Sequence, residues 1–153
     1  MIQVITQAKN SSPGPDNIPN IIIKHLPARA LEYLLQLYNF VYKKQVFPDS
    51  WREALVIPIL KPGKIPSLQS SYRPISLTCN MCKILEKIIS KRIRWYVETN
   101  KYLSAFQYGF RQYRSTTDYL INIESEILDS FANSNYSVVV ALDIEKAYEM
   151  VWK

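Results

Sequence analysis

The most constraining feature of this sequence is a short, wholly apolar run at residues 138–142 that ends on an aspartate, Asp143. Its β-branched side chains favour a strand, and a run without polar alternation is typical of a strand covered on both faces. Such a strand needs neighbours to pair with. The sequence therefore predicts a sheet in which this run is a central strand, with Asp143 at its end.

The rest of the chain predicts helices and one hairpin. Apolar residues recur with helical spacing in two long segments, 28–44 and 81–98. Between them, residues 54–60 and 72–78 favour strands, and the turn formers that separate them indicate a hairpin with a basic tip. Ser115 begins a capping-box pattern that predicts a third long helix. These elements indicate an α+β domain, and because the chain stops soon after residue 142 we expect an incomplete sheet.

Composition narrows the class of protein. The chain has 48% hydrophobic and 21% charged residues, which is ordinary for a globular domain. Nineteen Lys and Arg against thirteen Asp and Glu give a net charge of +6, which favours an anionic partner. No apolar run approaches the roughly 18 residues needed to span a bilayer, so we expect no membrane segment. Residues 1–9 lack the features of a secretion signal, which predicts an intracellular protein of the nucleus or cytoplasm.

Cys79 and Cys82 have the spacing of half a zinc site or of a redox pair. A zinc site normally requires four ligands, and the only other soft ligand, His25, lies far upstream. A redox pair stays open, because a helix N-terminus lowers the pKa of a thiol. Two buried, unreactive cysteines are the simpler interpretation.

Asp143 is the residue with the clearest chemical potential. A carboxylate at the end of a buried strand loses hydration, at a cost on the order of several kcal/mol, unless a positive charge faces it. A divalent metal would supply that charge, and in nucleotidyl transfer carboxylates hold two metal ions at the reacting oxygens. Aspartate also serves readily as a helix N-cap. The local sequence leaves both roles open.

The residues after Asp143 resemble a known motif. Tyr148 follows five positions later, with Glu145 and Lys146 between them, and this run resembles the first palm motif of reverse transcriptases in its non-LTR (LINE-type) retrotransposon version. Upstream segments resemble the opening segment, the fingers and the following motif of the same domain, in the same order. They are residues 12–19, 51–64, 71–86 and 107–118. The resemblance therefore extends over nearly the whole chain.

The resemblance implies a fold and an activity. The chain would form the fingers, in about residues 1–110, and the start of the palm, in about residues 111–153, of a right-hand polymerase. The parent protein would be an RNA-directed DNA polymerase that uses Mg²⁺ or Mn²⁺, an RNA template, a DNA primer and deoxynucleoside triphosphates. Asp143 and the main chain of Ile144 would bind metal, and Tyr148 would stack under the incoming sugar.

Two further groups of residues are candidates for binding. Lys61, Lys64 and Arg73 flank the hairpin, where their cations can hold a nucleoside triphosphate. The second group precedes a helix start, where amides and arginine can hold template phosphates, and consists of Gly109, Phe110, Arg111 and Arg114.

Each of these candidates has a simpler alternative. The two lysines can be solvated turn residues, and Phe110 can belong to a core. One face of the 81–98 helix is basic and can follow the backbone of a duplex, or it can simply be exposed to solvent. Its residues are Lys83, Lys87, Lys91 and Arg94.

The sequence departs from the family pattern in two places. Glu149 stands where the family usually has aspartate, which puts local packing in question. The pattern also requires a later pair of adjacent aspartates, a primer-gripping region and a thumb, and the chain ends before the rest of the palm and the thumb. One aspartate cannot hold both metals, so we expect the 153-residue chain alone to be inactive. The alternative reading is a catalytically dead, nucleic-acid-binding remnant of such an element.

Overall fold

The computed structural model describes residues 1–144, so Tyr148 and the rest of the predicted palm motif after Ile144 lie outside the described residues. The chain forms two compact units, residues 1–100 and residues 101–153. This division falls about ten residues before the predicted boundary between fingers and palm. The fingers–palm boundary itself stays a prediction.

Four α-helices account for nearly half of the first unit. The predicted helix at residues 28–44 is confirmed as α3, and the predicted 81–98 helix extends by one residue at each end as α4. α3 ends where Gln45 turns into the left-handed conformation with a φ of 55°. The four helices are α1 (Ile2–Thr6), α2 (Asn20–Lys24), α3 (Ala28–Lys44) and α4 (Asn80–Thr99).

The core of the first unit follows the predicted apolar face of α3. Leu34, Tyr38 and Val41 recur at helical spacing and are buried in one cluster with Ile84 and Leu85 of α4. The Tyr38 hydroxyl donates a hydrogen bond to a main-chain carbonyl of α4, at 2.8 Å. Apolar burial and one satisfied polar group therefore hold α3 against the start of α4.

The predicted hairpin is confirmed as β1 (Leu55–Leu60) paired with β2 (Tyr72–Leu77) in antiparallel register. Pro58 lies opposite Pro74 in this register. The Lys61 amide donates to the Ser71 carbonyl, so the alternating pattern directs residues 58 and 74 away from the partner strand. The prolines therefore cost the hairpin no ladder bond, and each removes a donor from an outer edge.

Residues 11–19, which are rich in turn formers, form a structured loop that precedes α2. Gly14 is buried, and a methyl group on it would lie 2.5 Å from the Cys79 nitrogen and the Thr78 carbonyl carbon. Asn80, which is fully buried, donates to the Ile18 carbonyl at 2.8 Å and accepts from the Ser11 hydroxyl at 3.2 Å. The loop is thus bound to the junction between β2 and α4.

The second unit contains one long helix among its described residues, α5 (Thr116–Ala132). The predicted capping box is confirmed: the Ser115 hydroxyl accepts from the Asp118 amide at 3.2 Å, and the Ser115 amide donates to the Asp118 carboxylate at 2.7 Å. The Ser115 hydroxyl also donates to the Asp118 carboxylate at 2.8 Å, and this bond, followed by the one from the Ser115 amide, lowers the pKa of Asp118. The contribution of the Asp118 carboxylate to the stability of the helix start is therefore complete above the ordinary carboxyl pKa, and it is lost as the pH falls through the lowered pKa.

We expect Ser115→Ala to fray the first turn of α5. Losing a serine cap costs about 1 kcal/mol, which corresponds to roughly fivefold faster amide exchange at Asp118. Hydrogen exchange followed residue by residue measures this. Ser125→Ala makes the same chemical change within the helix and should leave that exchange unchanged, whereas equal exchange in wild type and Ser115→Ala would contradict the capping role.

The prediction of a central strand at residues 138–142 is wrong in this structure, because the run forms no strand and its side chains are exposed. A strand obtains its hydrogen bonds from a neighbour, and the only two strands among residues 1–144 pair with each other. β-branched residues favour a strand, but the strand forms only where a neighbouring strand is present to pair with it. The described part is a mixture of helices and a two-stranded sheet. No helix within it is both long and apolar enough to cross a membrane.

Candidate nucleic-acid-binding site

The hairpin positions three of the predicted binding residues. Arg73 lies opposite Ile59 in the register, and Lys61 continues the pairing by one bond, from its amide to the Ser71 carbonyl at 2.8 Å. Lys61 lies two positions beyond Ile59. Because side chains alternate along a strand, Lys61 is on the same face as Ile59 and therefore on the face that carries Arg73. Lys64 follows in the turn and is exposed. The hairpin therefore brings Lys61 and Arg73 to one face near its tip.

The three hairpin residues differ in how tightly they are held. The Lys61 ammonium group donates to the Ser70 carbonyl at 2.9 Å, which folds its side chain back across the hairpin. Lys64 and Arg73 are exposed to solvent. No carboxylate side chain occurs in residues 55–77, so the hairpin is a purely cationic segment. This charge pattern suits an anionic ligand, and Arg73 has the guanidinium geometry that holds phosphate oxygens.

Most of the positive charge of the chain belongs to the first unit. Residues 1–100 contain fourteen Lys and Arg and six Asp and Glu, whereas the remaining residues contain five and seven. Part of this charge has a structural role: on the basic face of α4, Lys91 donates to the Gln7 side chain at 3.2 Å. The hairpin is the part of the first unit in which the positive charge occurs without acidic side chains nearby in sequence.

In the second unit, the predicted arginines shape the loop that precedes α5. Arg111 donates to the carbonyls of Ser104, at 2.8 Å, and Gln107, at 3.3 Å. Arg114 donates to the Ala105 carbonyl. A guanidinium carries five N–H donors, so the bond to Ala105 leaves Arg114 with donor capacity for a ligand. The structure thus shows how the loop is held, and the binding of template phosphates by these residues stays a prediction.

Phe110 does not belong to a core. Its side chain is 89% exposed, and its backbone has a φ of 61° in the left-handed region. Gly109 beside it is exposed and has open space where a side chain would be. A bulky residue at positive φ is strained, which makes this loop unusual for a simple connection.

Sequence reasoning missed a cleft beside this loop. It has a volume of about 560 Å³ and lies in front of the N-terminus of α5. Tyr108 and Tyr119 stand with ring centroids 5.6 Å apart, and the Arg114 guanidinium lies 5.1 Å from the Tyr108 ring centroid. The signal in the sequence is the density of aromatic residues between Tyr102 and Tyr119. The aromatic residues that line the cleft are Phe106, Tyr108, Phe110 and Tyr119.

Asp143 and Ile144 are the last predicted site residues that the structure describes, and both are exposed. Asp143 is chemically suited to be one ligand of a hard divalent cation. Within residues 1–144, no group of three His, Cys, Asp or Glu side chains comes together as a metal site would require. The described residues thus provide a single candidate carboxylate.

The two cysteines are buried and form no disulfide. Burial, and then the neighbouring Glu86, raise the pKa of Cys82 to about 12. Burial and the neighbouring Asp16 also raise the pKa of Cys79. Both side chains are therefore thiols at neutral pH, which disfavours a redox role because the thiolate is the reactive form.

Comparison with known proteins agrees with the motifs. Residues 59–153 match the family described as reverse transcriptase (RNA-dependent DNA polymerase). The chain is 38% identical over 141 residues to the probable RNA-directed DNA polymerase from transposon BS of Drosophila melanogaster, a match that covers 92% of this chain and 16% of that protein.

Two further relatives show the same pattern. The RNA-directed DNA polymerase from mobile element jockey of Drosophila melanogaster is 36% identical, over 92% of this chain and 15% of that protein. The retrovirus-related Pol polyprotein from type-1 retrotransposable element R1 of Bradysia coprophila is 31% identical, over 90% of this chain and 14% of that protein.

These matches confirm the resemblance to non-LTR retrotransposon proteins. The chain spans 14–16% of the length of these curated relatives. The family match alone covers more than half of the 153 residues. The chain therefore belongs to the reverse transcriptase family.

Proposed function

We propose that this chain is the fingers and the first part of the palm of a right-hand, RNA-directed DNA polymerase from a non-LTR retrotransposon. The observation that carries the proposal is the identity of 36–38% to two polymerases of mobile elements over 92% of the chain. The whole protein would copy an RNA template from a DNA primer, using deoxynucleoside triphosphates. The mixed helical and two-stranded structure is consistent with this assignment.

In this proposal Asp143 contributes its carboxylate, and Ile144 its main-chain carbonyl, to a site for Mg²⁺ or Mn²⁺. The metal would stabilise charge on the reacting phosphate oxygens. Asp143 is exposed, so the burial from which the sequence argued for a metal is not found, but its carboxylate can be reached by a metal ion. The further carboxylates that two metals need are not among the groups that residues 1–144 bring together.

The hairpin has a binding role in this proposal. Lys61 and Arg73 on one face, and Lys64 in the turn, form a segment without acidic side chains that would hold the phosphates of an incoming nucleotide or of the nucleic acid. Arg73 is the strongest candidate, since a guanidinium can donate two parallel hydrogen bonds to phosphate. The Lys61 contact to Ser70 would hold its side chain in place for this role.

The expected result for the hairpin is a change in salt dependence. Replacing Lys61, Lys64 and Arg73 together by glutamine should reduce the slope of log affinity against log salt for an RNA–DNA duplex by about 2–3, because each lost phosphate contact removes roughly one unit. Fluorescence anisotropy with a labelled duplex at several salt concentrations measures this slope.

The matched control makes the same charge change elsewhere in the first unit. Lys43, Lys44 and Arg29 are exposed on α3, and their replacement by glutamine also removes two lysines and one arginine. We expect a smaller change in slope for this variant. If both triple variants reduce the slope equally, net charge rather than the hairpin governs binding, and the proposed role of the hairpin is wrong.

A further inference from the structure

The cleft in front of α5 combines features that a simple connecting loop does not need. Its volume of about 560 Å³ lies in the range of ligand sites, and four of its lining residues are aromatic. Among them, Phe106 is 73% exposed. Several large apolar rings thus face solvent around one concave surface.

The floor of the cleft is held in a defined arrangement. Tyr108 contacts Tyr119 of α5, and the Arg114 guanidinium lies over the Tyr108 ring. Arg114 is itself fixed by its hydrogen bond to the Ala105 carbonyl. The Tyr108 and Tyr119 rings are tilted by 55° to each other, and with the cation over Tyr108 they form an ordered aromatic wall that requires little further ordering when a ligand binds.

The loop that forms the cleft contains strained backbone. Phe110, which lines the cleft, is held at a positive φ with its ring in solvent. Tyr113, in the same loop but outside the cleft lining, also has a positive φ, 60°. Each such conformation of a bulky residue costs on the order of 1–3 kcal/mol. Packing within the described residues does not repay this cost for Phe110, because its ring is exposed. Strain of this kind is typical of sites that meet a ligand.

The charge around the cleft indicates the class of ligand. Arg114 lines the cleft, and Lys101 and Arg111 lie in the same loop. The nearest carboxylate, that of Asp118, is engaged by the amide and hydroxyl of Ser115 at the start of α5. Aromatic faces beside cations are the combination that binds single-stranded nucleic acid, in which bases stack on rings and phosphates pair with cations. A duplex hides the faces of its bases, so the cleft favours an unpaired strand.

We propose that this aromatic cleft is a stacking site for an unpaired nucleobase of a single-stranded nucleic acid, with Phe106 and Phe110 at its rim and Tyr108 at its floor. This inference rests on the proposed function, and it adds that the second unit recognises base faces, whereas the predicted role of its arginines concerns phosphates. One bound base would be worth roughly a five- to 150-fold gain in affinity.

The test uses the 153-residue chain and two single-stranded RNA probes of equal length. One probe carries 2-aminopurine, whose fluorescence is quenched when it stacks on an aromatic ring, and in the other the same positions are abasic. We expect the base-bearing probe to be quenched on binding and to bind at least about fivefold more tightly than the abasic probe. Phe106→Ala should abolish most of this difference.

Phe131→Ala is the matched control, because Phe131 is 64% exposed on α5 and does not line the cleft. It should leave both the quenching and the affinity unchanged. Circular dichroism of both variants checks that the helices are retained, as the exposure of both side chains leads us to expect.

Two results would overturn the inference: equal affinity for the two probes, or an equal loss in the two phenylalanine variants. Either result would leave the duplex-binding test of the hairpin unaffected, so failure here is distinguishable from failure of the proposed function. The reverse also holds. If the hairpin variants bind the duplex normally, the base-dependent quenching at this cleft is still expected.

Discussion

Replacing Trp51 with alanine should lower the free energy of unfolding of the first unit by about 3–5 kcal/mol, the usual cost of deleting a large buried aromatic side chain. Trp51 is 5% exposed, and the rings of Tyr38 and Phe47 meet it edge-on at centroid distances of 6.1 and 5.8 Å. Tyr38 is tethered by its hydrogen bond to Met81, so the core cannot easily collapse into the space.

Urea denaturation followed by circular dichroism measures this loss. Domains of this size are stable by about 5–15 kcal/mol, so a loss of this size would remove a large part of the stability. Trp95→Ala is the control: Trp95 is 69% exposed on α4, and its removal should change the stability by less than about 0.5 kcal/mol. Similar losses for the two tryptophans would show that the core does not depend on Trp51 in this way.

Gly14→Ala should destabilise the first unit by about 3 kcal/mol, at the upper end of what overpacking usually costs. The added methyl group would lie 2.5 Å from the Cys79 nitrogen and from the Thr78 carbonyl carbon. Both are backbone atoms at the junction of β2 and α4, so no side-chain rotation relieves the contact. The same denaturation experiment measures the change.

The other two glycines of the chain provide graded controls. Gly63 has open space around it but a φ of 69°, so Gly63→Ala should cost about 1 kcal/mol through backbone strain alone. Gly109 has open space and no left-handed backbone, so Gly109→Ala should be close to neutral. A Gly63 variant as unstable as the Gly14 variant would contradict the steric explanation for Gly14.

These two predictions assign a packing role to residues that the family motifs contain. Trp51 and Gly14 lie in segments that carry the resemblance to reverse transcriptases, and the structure shows both of them buried. Their loss would therefore impair the protein through its stability. In contrast, Lys64, Arg73 and Asp143 are exposed, so their replacement should leave the core intact and affect only binding or chemistry.

The arginines before α5 show why the site could only partly be predicted. The sequence correctly places Arg111 and Arg114 before a capped helix. It does not reveal that each guanidinium binds carbonyls of its own loop, because those contacts reach back four to nine residues through an irregular backbone. The aromatic cleft beside them is formed by the same irregular loop, so no periodic sequence pattern predicts it.

The sequence by itself determined the features that depend on neighbours a few residues away. Helical periodicity was sufficient to predict α3, and strand propensity with turn formers was sufficient to predict the hairpin. The capping-box pattern that begins at Ser115 was sufficient to predict the start of α5. The order of short motifs was sufficient for the family, because each motif can be read along the chain without knowledge of its surroundings.

Only the tertiary structure decided which groups are buried, paired or reachable. It showed that Cys79 and Cys82 are buried thiols, that Gly14 packs on a distant backbone junction, and that residues 138–142 have no strand partner in the described part of the chain. The physical reason is that burial and strand pairing depend on residues far away in sequence. Local propensity indicates only which secondary structure a segment adopts when such partners are present.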